Sequence, residues 1–177
     1  MDDEVAYRET WETLSGIEGW MTEGQGRMLS ERARRVRDHE AIVEIGSHHG
    51  RSTIVLAKAK RPGVRLVAVD PFDDPRWGGG KSSLERFQDN VQDAGVGGDV
   101  ELFRGFGEEA AKTWDGSSVG VLYVDGAHDY PTVHGEIESW LPHVAVGGSV
   151  LFHDAFSSPG VTRAVLQASS APGSSPM

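Results

Sequence analysis

The chain has 177 residues, of which 38% are apolar and none is cysteine, and its formal net charge is −10. The length predicts one domain with a substantial core, and the missing cysteine excludes a disulfide framework, a thiolate metal site and a cysteine nucleophile. The acidic balance repels phosphate backbones, so no nucleic acid partner is expected.

Residues 1–39 read as an N-terminal helical segment. Met1 to Val5 are acidic and lack the apolar core of a signal peptide. No apolar run approaches the roughly 20 residues of a membrane span, so no membrane partner is expected and the location is expected to be cytoplasmic. Trp11, Leu14, Ile17 and Trp20 recur every three residues, which predicts a short amphipathic segment. Gly24-Gln25-Gly26 is expected to break it, and Met28 to Asp38 to form a helix with its arginines on a solvated face.

Residues 40–167 carry the main domain. Ala41 to Ile45 is an apolar, β-branched run that predicts a buried strand, with Glu44 its only charge. Gly46 and Gly50 follow, then a helix from Ser52. Strand, glycine turn and helix form the first unit of a nucleotide-binding α/β sheet. The spacing is Gly-x-x-x-Gly rather than Gly-x-Gly-x-x-Gly, which suits a nucleoside with no pyrophosphate to seat on the helix N-terminus. Further strands are predicted at 64–69, 100–103, 119–124 and 149–152. Helices are predicted between them and at 160–167. Five β-α repeats predict an α/β fold, a Rossmann-like parallel sheet of order 3-2-1-4-5 with helices on both faces. Residues 168–177 are small, serine-rich and proline-containing, and are expected to be a disordered tail.

Ligands of open α/β sheets bind beyond the C-terminal ends of the strands. Asp70 ends the second strand, where an acid accepts hydrogen bonds from ribose hydroxyls; its bland alternative is a turn cap. The loop 73–83 holds Trp77 and Gly78 to Gly80, a composition suited to a lid. Asp125 and His128 follow the fourth strand, and His153 and Asp154 the fifth. Two carboxylates beside an imidazole form a plausible site for a divalent metal, Mg²⁺ or Mn²⁺, with the imidazole favouring the softer ions. His128 stands at the mouth of the same place, with the pKa range of a general base. Each of these acids also has a plain role as a helix or turn cap.

Residues 41–57 resemble motif I of the class I S-adenosylmethionine (SAM) methyltransferases. The resemblance implies that Glu44 and the Gly46–Gly50 backbone face the methionine end of SAM, with the Ser52 hydroxyl on its carboxylate. It further implies that Gly105 and Phe106, after the third strand, lie against the adenine. Tyr-Val-Asp-Gly-Ala-His-Asp-Tyr at 123–130 and Gly-Gly-Ser-Val-Leu-Phe-His-Asp-Ala at 147–155 resemble the methyltransferase-24 family and the metal-dependent catechol and sugar O-methyltransferases. By that resemblance Asp125 and Asp154 hold a divalent metal, His153 stands where sugar enzymes have a third acid, and His128 is the base. Ala155 replaces an asparagine of the catechol enzymes. The family normally adds two strands after the fifth, which are missing here. An exposed fifth-strand edge is expected to favour a homodimer or aggregation. The resemblance implies O-methylation of a small hydroxylated acceptor, a sugar or phenol. The competing functions are a non-catalytic SAM-binding or scaffold protein and a nicotinamide-dependent oxidoreductase. The latter is disfavoured by the glycine spacing and by the absence of a hydride-transfer set such as Tyr-x-x-x-Lys.

Overall fold

The computed structural model describes residues 3–72 and 81–170. The expected lid with Trp77 and Gly78–Gly80, and most of the expected tail, lie outside the described residues. Two helices, α1 (Asp3–Thr13) and α2 (Glu23–Arg34), precede an alternation of strands and helices. These are β1 (Glu40–Ile45), α3 (Arg51–Ala59), β2 (Arg65–Val69), α4 (Lys81–Asp93), β3 (Glu101–Phe103), α5 (Gly107–Lys112), β4 (Ser118–Val124), α6 (Tyr130–Trp140), β5 (Val144–Phe152) and α7 (Pro159–Ser170). All strand pairs are parallel, in the order β3-β2-β1-β4-β5, as the five repeats predict.

The central strands are apolar because both of their faces are covered. One layer packs Ile42, Leu66, Ala68 and Val121 beneath α2, α3 and α4. The other packs Val43, Val67, Leu122 and Val124 against α5 and α6. Trp140 closes this second layer. It is fully buried, its indole Nε1 donates to Gly107 O at 2.9 Å, and Trp114 meets its ring edge at 5.1 Å.

Two local expectations are corrected. Gly24-Gln25-Gly26 does not break a helix; it forms the first turn of α2. Thr22 is the N-cap, and Gln25 closes a capping box by accepting from the Thr22 backbone N–H at 2.7 Å. Gln25 is thereby committed to the cap. β5 begins at Val144, well before residue 149. The glycine pair 147–148 therefore lies inside the strand, at a register irregularity: Val119 of β4 pairs with Val144 and Val121 with Ser149, so the extra residues are in β5. Among the described residues β5 pairs only with β4, and Val146 is 98% exposed. No helix among them is long and apolar enough to cross a membrane.

What the sheet does for the site is visible one residue past each strand. The parallel ladder continues through Gly46 N to Val69 O (2.8 Å), Asp125 N to Ile45 O (2.8 Å), Asp70 N to Phe103 O (3.1 Å) and His153 N to Val124 O (3.0 Å). The residues that follow β1, β2, β4 and β5 are thus each held by a neighbouring strand's last carbonyl. The loops start from fixed points.

Candidate active site

Above these strand ends lies a cavity of about 530 Å³, in the size range of small-molecule sites. Gly46 makes its floor possible. It has φ +87°, and a Cβ there would lie 2.4 Å from Asp125 O, so only glycine lets the β1 turn approach the β4 turn. His48, Phe72 and Asp154 are the non-glycine residues with positive φ among those described, and all three line the cavity. Strained backbone concentrated at one cleft is a mark of a functional site.

The residues expected to bind a cofactor divide. Gly46, Ser52, Asp70, Gly105 and Phe106 line the cavity. Asp70 also performs the bland role: its carboxylate accepts from Phe72 N at 2.7 Å and His48 N at 2.9 Å. Those bonds fix the carboxylate beside the cavity and leave lone pairs for a ligand. Glu44 does not reach the cavity. It is fully buried, and its Oε2 accepts from Ser47 Oγ at 2.8 Å and from Thr53 Oγ1. Burial raises its pKa, against the effect of the Ser52, Thr53 and Ser47 hydroxyls. The reason is strand parity. Side chains alternate faces, so Glu44 points with Ile42 into the layer beneath α3, where it holds the turn from below. Gly50 also turns away, because its α-carbon faces Val91 and Phe87 of α4.

The four residues at the β4 and β5 ends converge as expected. Asp125 Oδ1 is 3.2 Å from His153 Nδ1, and its Oδ2 accepts from Tyr123 OH at 2.9 Å. Asp154 Oδ2 lies 3.2 Å from the same His153 Nδ1 and 3.4 Å from His128 Nε2. Burial pushes the Asp125 pKa up to about 8. Asp154 moves the other way, held down first by the Ser157 hydroxyl 2.5 Å from its Oδ1 and then by the two histidines. One acid thus prefers its proton while its neighbour stays ionised, a separation typical of acid–base sites. Asp125, His128 and His153 each bring one ligand atom within 4.8 Å of the others. Here His128 stands in the metal-competent group where Asp154 was expected.

At the mouth, Trp20 is 76% exposed, with its ring 5.7 Å from that of His48, which stacks on His49 at 3.7 Å. Arg51, in the first turn of α3, donates to Ile17 O at 2.7 Å and Leu14 O at 3.4 Å, fastening the α1–α2 connection to the rim. Glu136 was not anticipated. It is 3% exposed, lies on α6 and lines the cavity. The signal was present: a lone acid between Val133 and Ile137 on an otherwise apolar helical stripe.

A family model described as a methyltransferase domain, methyltransferase-24, matches residues 43–155. The chain is 31% identical over 140 residues to the uncharacterized protein y4gI of Sinorhizobium fredii, covering 76% of this chain and 15% of that protein. It therefore spans a small part of that relative's length. The fold is similar to cofactor-bound Rv0187 from MTB, with TM-score 0.71, 19% identity, and 98% of this chain and 80% of that one covered. It is also similar to the O-methyltransferase TomG of Streptomyces achromogenes in complex with SAM, with TM-score 0.66, 24% identity and coverage of 92% and 75%. At these identities the two structures speak for the fold.

Proposed function

Because the chain belongs to the methyltransferase-24 family of class I SAM-dependent methyltransferase domains, we propose that it moves the methyl group of SAM to a hydroxyl oxygen of a small sugar or phenol. The observation that carries the reading is the convergence of Asp125, His128, His153 and Asp154 at the end of the cavity opposite the ribose-binding Asp70. In the reaction the acceptor oxygen bonds to the methyl carbon as the carbon–sulfur bond breaks. The hydroxyl proton passes to His128 Nδ1, and S-adenosylhomocysteine (SAH) leaves as a neutral thioether. Asp154, ionised and 3.4 Å from the other ring nitrogen, Nε2, takes the N–H there, orients the imidazole and stabilises its cationic form. Ser52 and Asp70 hold the methionine carboxylate and the ribose.

The donor set fits a divalent cation, Mg²⁺ or Mn²⁺. Asp125 and His153 would hold it, with the third donor either Asp154 or His128, whose ligand atom lies within 4.8 Å of those of Asp125 and His153. Burial leaves Asp125 with a raised pKa, a penalty that a cation relieves. When bound, the cation would make the acceptor hydroxyl more acidic and fix its oxygen. The net charge of −10 supports a small acceptor over a nucleic acid. The test is methyl transfer from SAM to a panel of sugars and phenols, with and without EDTA. No transfer to any hydroxyl acceptor would defeat the reading. Full activity in EDTA would leave His128 as a metal-free base, and Mn²⁺ affinity lost in His128→Ala would make His128 a ligand instead.

A further inference from the structure

The two outer strands of the sheet are built differently. β3 is three residues long and carries Glu101, whose carboxylate accepts a two-pronged bond from Arg65 of the neighbouring β2 at 3.0 and 2.9 Å. A short, charged edge discourages a further strand. β5 is nine residues long and holds neither a charge nor a proline. Its first half is blunted by the bulge: Gly147 has φ +84°, and Arg37 Nη2 donates to Val146 O at 3.2 Å. Residues 149–152 are regular and pair with β4; among the described residues no strand takes their other side.

Charge and shape both say what fits there. Residues 144–170 hold one acid, Asp154, and one base, Arg163, so this stretch is neutral in a chain of net charge −10. Two copies of so acidic a chain repel one another, and least where this stretch faces itself. The two most exposed large apolar side chains among the described residues are Val146, at 98%, and Phe156, at 91%. One precedes the free ladder and the other follows it. In an antiparallel self-pair residue 149 opposes residue 152 of the other copy. Three residues further out, about 10 Å at ~3.3 Å per residue, Val146 reaches the turn that holds Phe156 in the other copy. A two-fold axis makes that contact twice. We propose that β5 is the contact between two copies of this chain: antiparallel pairing over residues 149–152 joins two five-stranded sheets into one, and Val146 of each copy covers Phe156 of the other. The contact is closed, because it uses both free edges and β3 recruits no third copy. It also backs the strand that leads into His153 and Asp154. The proposal rests on the edge alone and is independent of what the cavity binds.

The test is sedimentation velocity of the full chain from micromolar to submillimolar concentration, with circular dichroism as the check on folding. Wild type should form a dimer of twice the 19.1 kDa chain mass. Val146→Lys and Phe156→Glu each put a charge where the pair buries an apolar side chain, and each should weaken association at least about tenfold while the chain stays folded. Both positions are solvated in the single chain, so neither change disturbs a core. The double variant Val146→Lys/Phe156→Glu sets opposite charges across both contacts and should recover the dimer, a result that loss of association through any other face would not give. A wild-type monomer at every concentration would leave the edge to some other chain and overturn the proposal. A dimer that survives both single variants, a double variant no better than the singles, or open-ended growth in place of a dimer would overturn it equally.

Discussion

The two ends of the cavity are built from the same kinds of side chain in opposite ways. At the glycine-turn end the acids are occupied by the protein itself: Glu44 by the Ser47 and Thr53 hydroxyls, Asp70 by the His48 and Phe72 amides. At the β4–β5 end Asp125 and Asp154 share His153, and Asp154 also faces His128. Burial does not separate the two, since Glu44 is fully buried and His153 is 9% exposed. The partners do. Hydroxyls meet the acids at both ends, Tyr123 and Ser157 at the β4–β5 end; what sets that end apart is its imidazoles, which exchange protons. A strand-end acid is therefore read by what it touches.

The sharpest way to break the contrast is His128→Ala. Methyl transfer should fall by about 10²–10⁴, the range for losing a general base, while SAH affinity stays within about twofold. Radiolabel transfer and calorimetry check both. Comparable losses in SAH binding would merge the two ends into one.

Gly46→Ala attacks the point where they touch. The added carbon meets Asp125 O at 2.4 Å with the backbone at φ +87°. Clash and strain together should cost about 2–4 kcal/mol in urea unfolding, and binding and activity should decline together. A variant as stable as wild type would mean that the turns are not in contact.

Glu44→Ala should cost about 2–3 kcal/mol, because it strands two buried hydroxyls, and should alter rates only through stability. Glu44→Gln should cost less and should change the pH profile. The Glu44 pKa is raised in the native state above its ordinary value of 4.5. Above pH 4.5 the folded chain therefore keeps a proton that the unfolded chain releases. That contribution is full below pH 4.5 and is lost as pH rises toward the native value. Unfolding of Glu44→Gln should lack this decline.

The smallest effect is expected from Asp70→Ala, which should weaken SAH by about 1–2 kcal/mol as the ribose loses a charged hydrogen-bond acceptor. Unchanged SAH affinity would reduce Asp70 to the turn cap that its two backbone contacts already make it.

The strands were legible because parallel strands covered on both faces leave unbroken apolar runs, as at Ile42 or Leu122. Asp125, His153 and Asp154 were legible for a related reason, since they are the polar residues at which those runs stop. Direction was harder to read. Whether Glu44 faces ligand or core depends on the parity of one residue within β1, and Gly50 on which way the first turn of α3 faces. The start of α2 was misread because two glycines outweighed Thr22, whereas the capping box decides the matter locally. Glu136 was passed over because its neighbours define an apolar stripe, and periodicity counts the majority of a face.

Trp20 gives the cavity a voice of its own. Its indole stands in water at the rim, on a segment that Arg51 ties to α3. A ligand that displaces that water should move the emission of the ring to shorter wavelength. Trp140, sealed in the core, stays constant beneath this change. The fluorescence spectrum becomes an optical gauge of occupancy, read without dye or label.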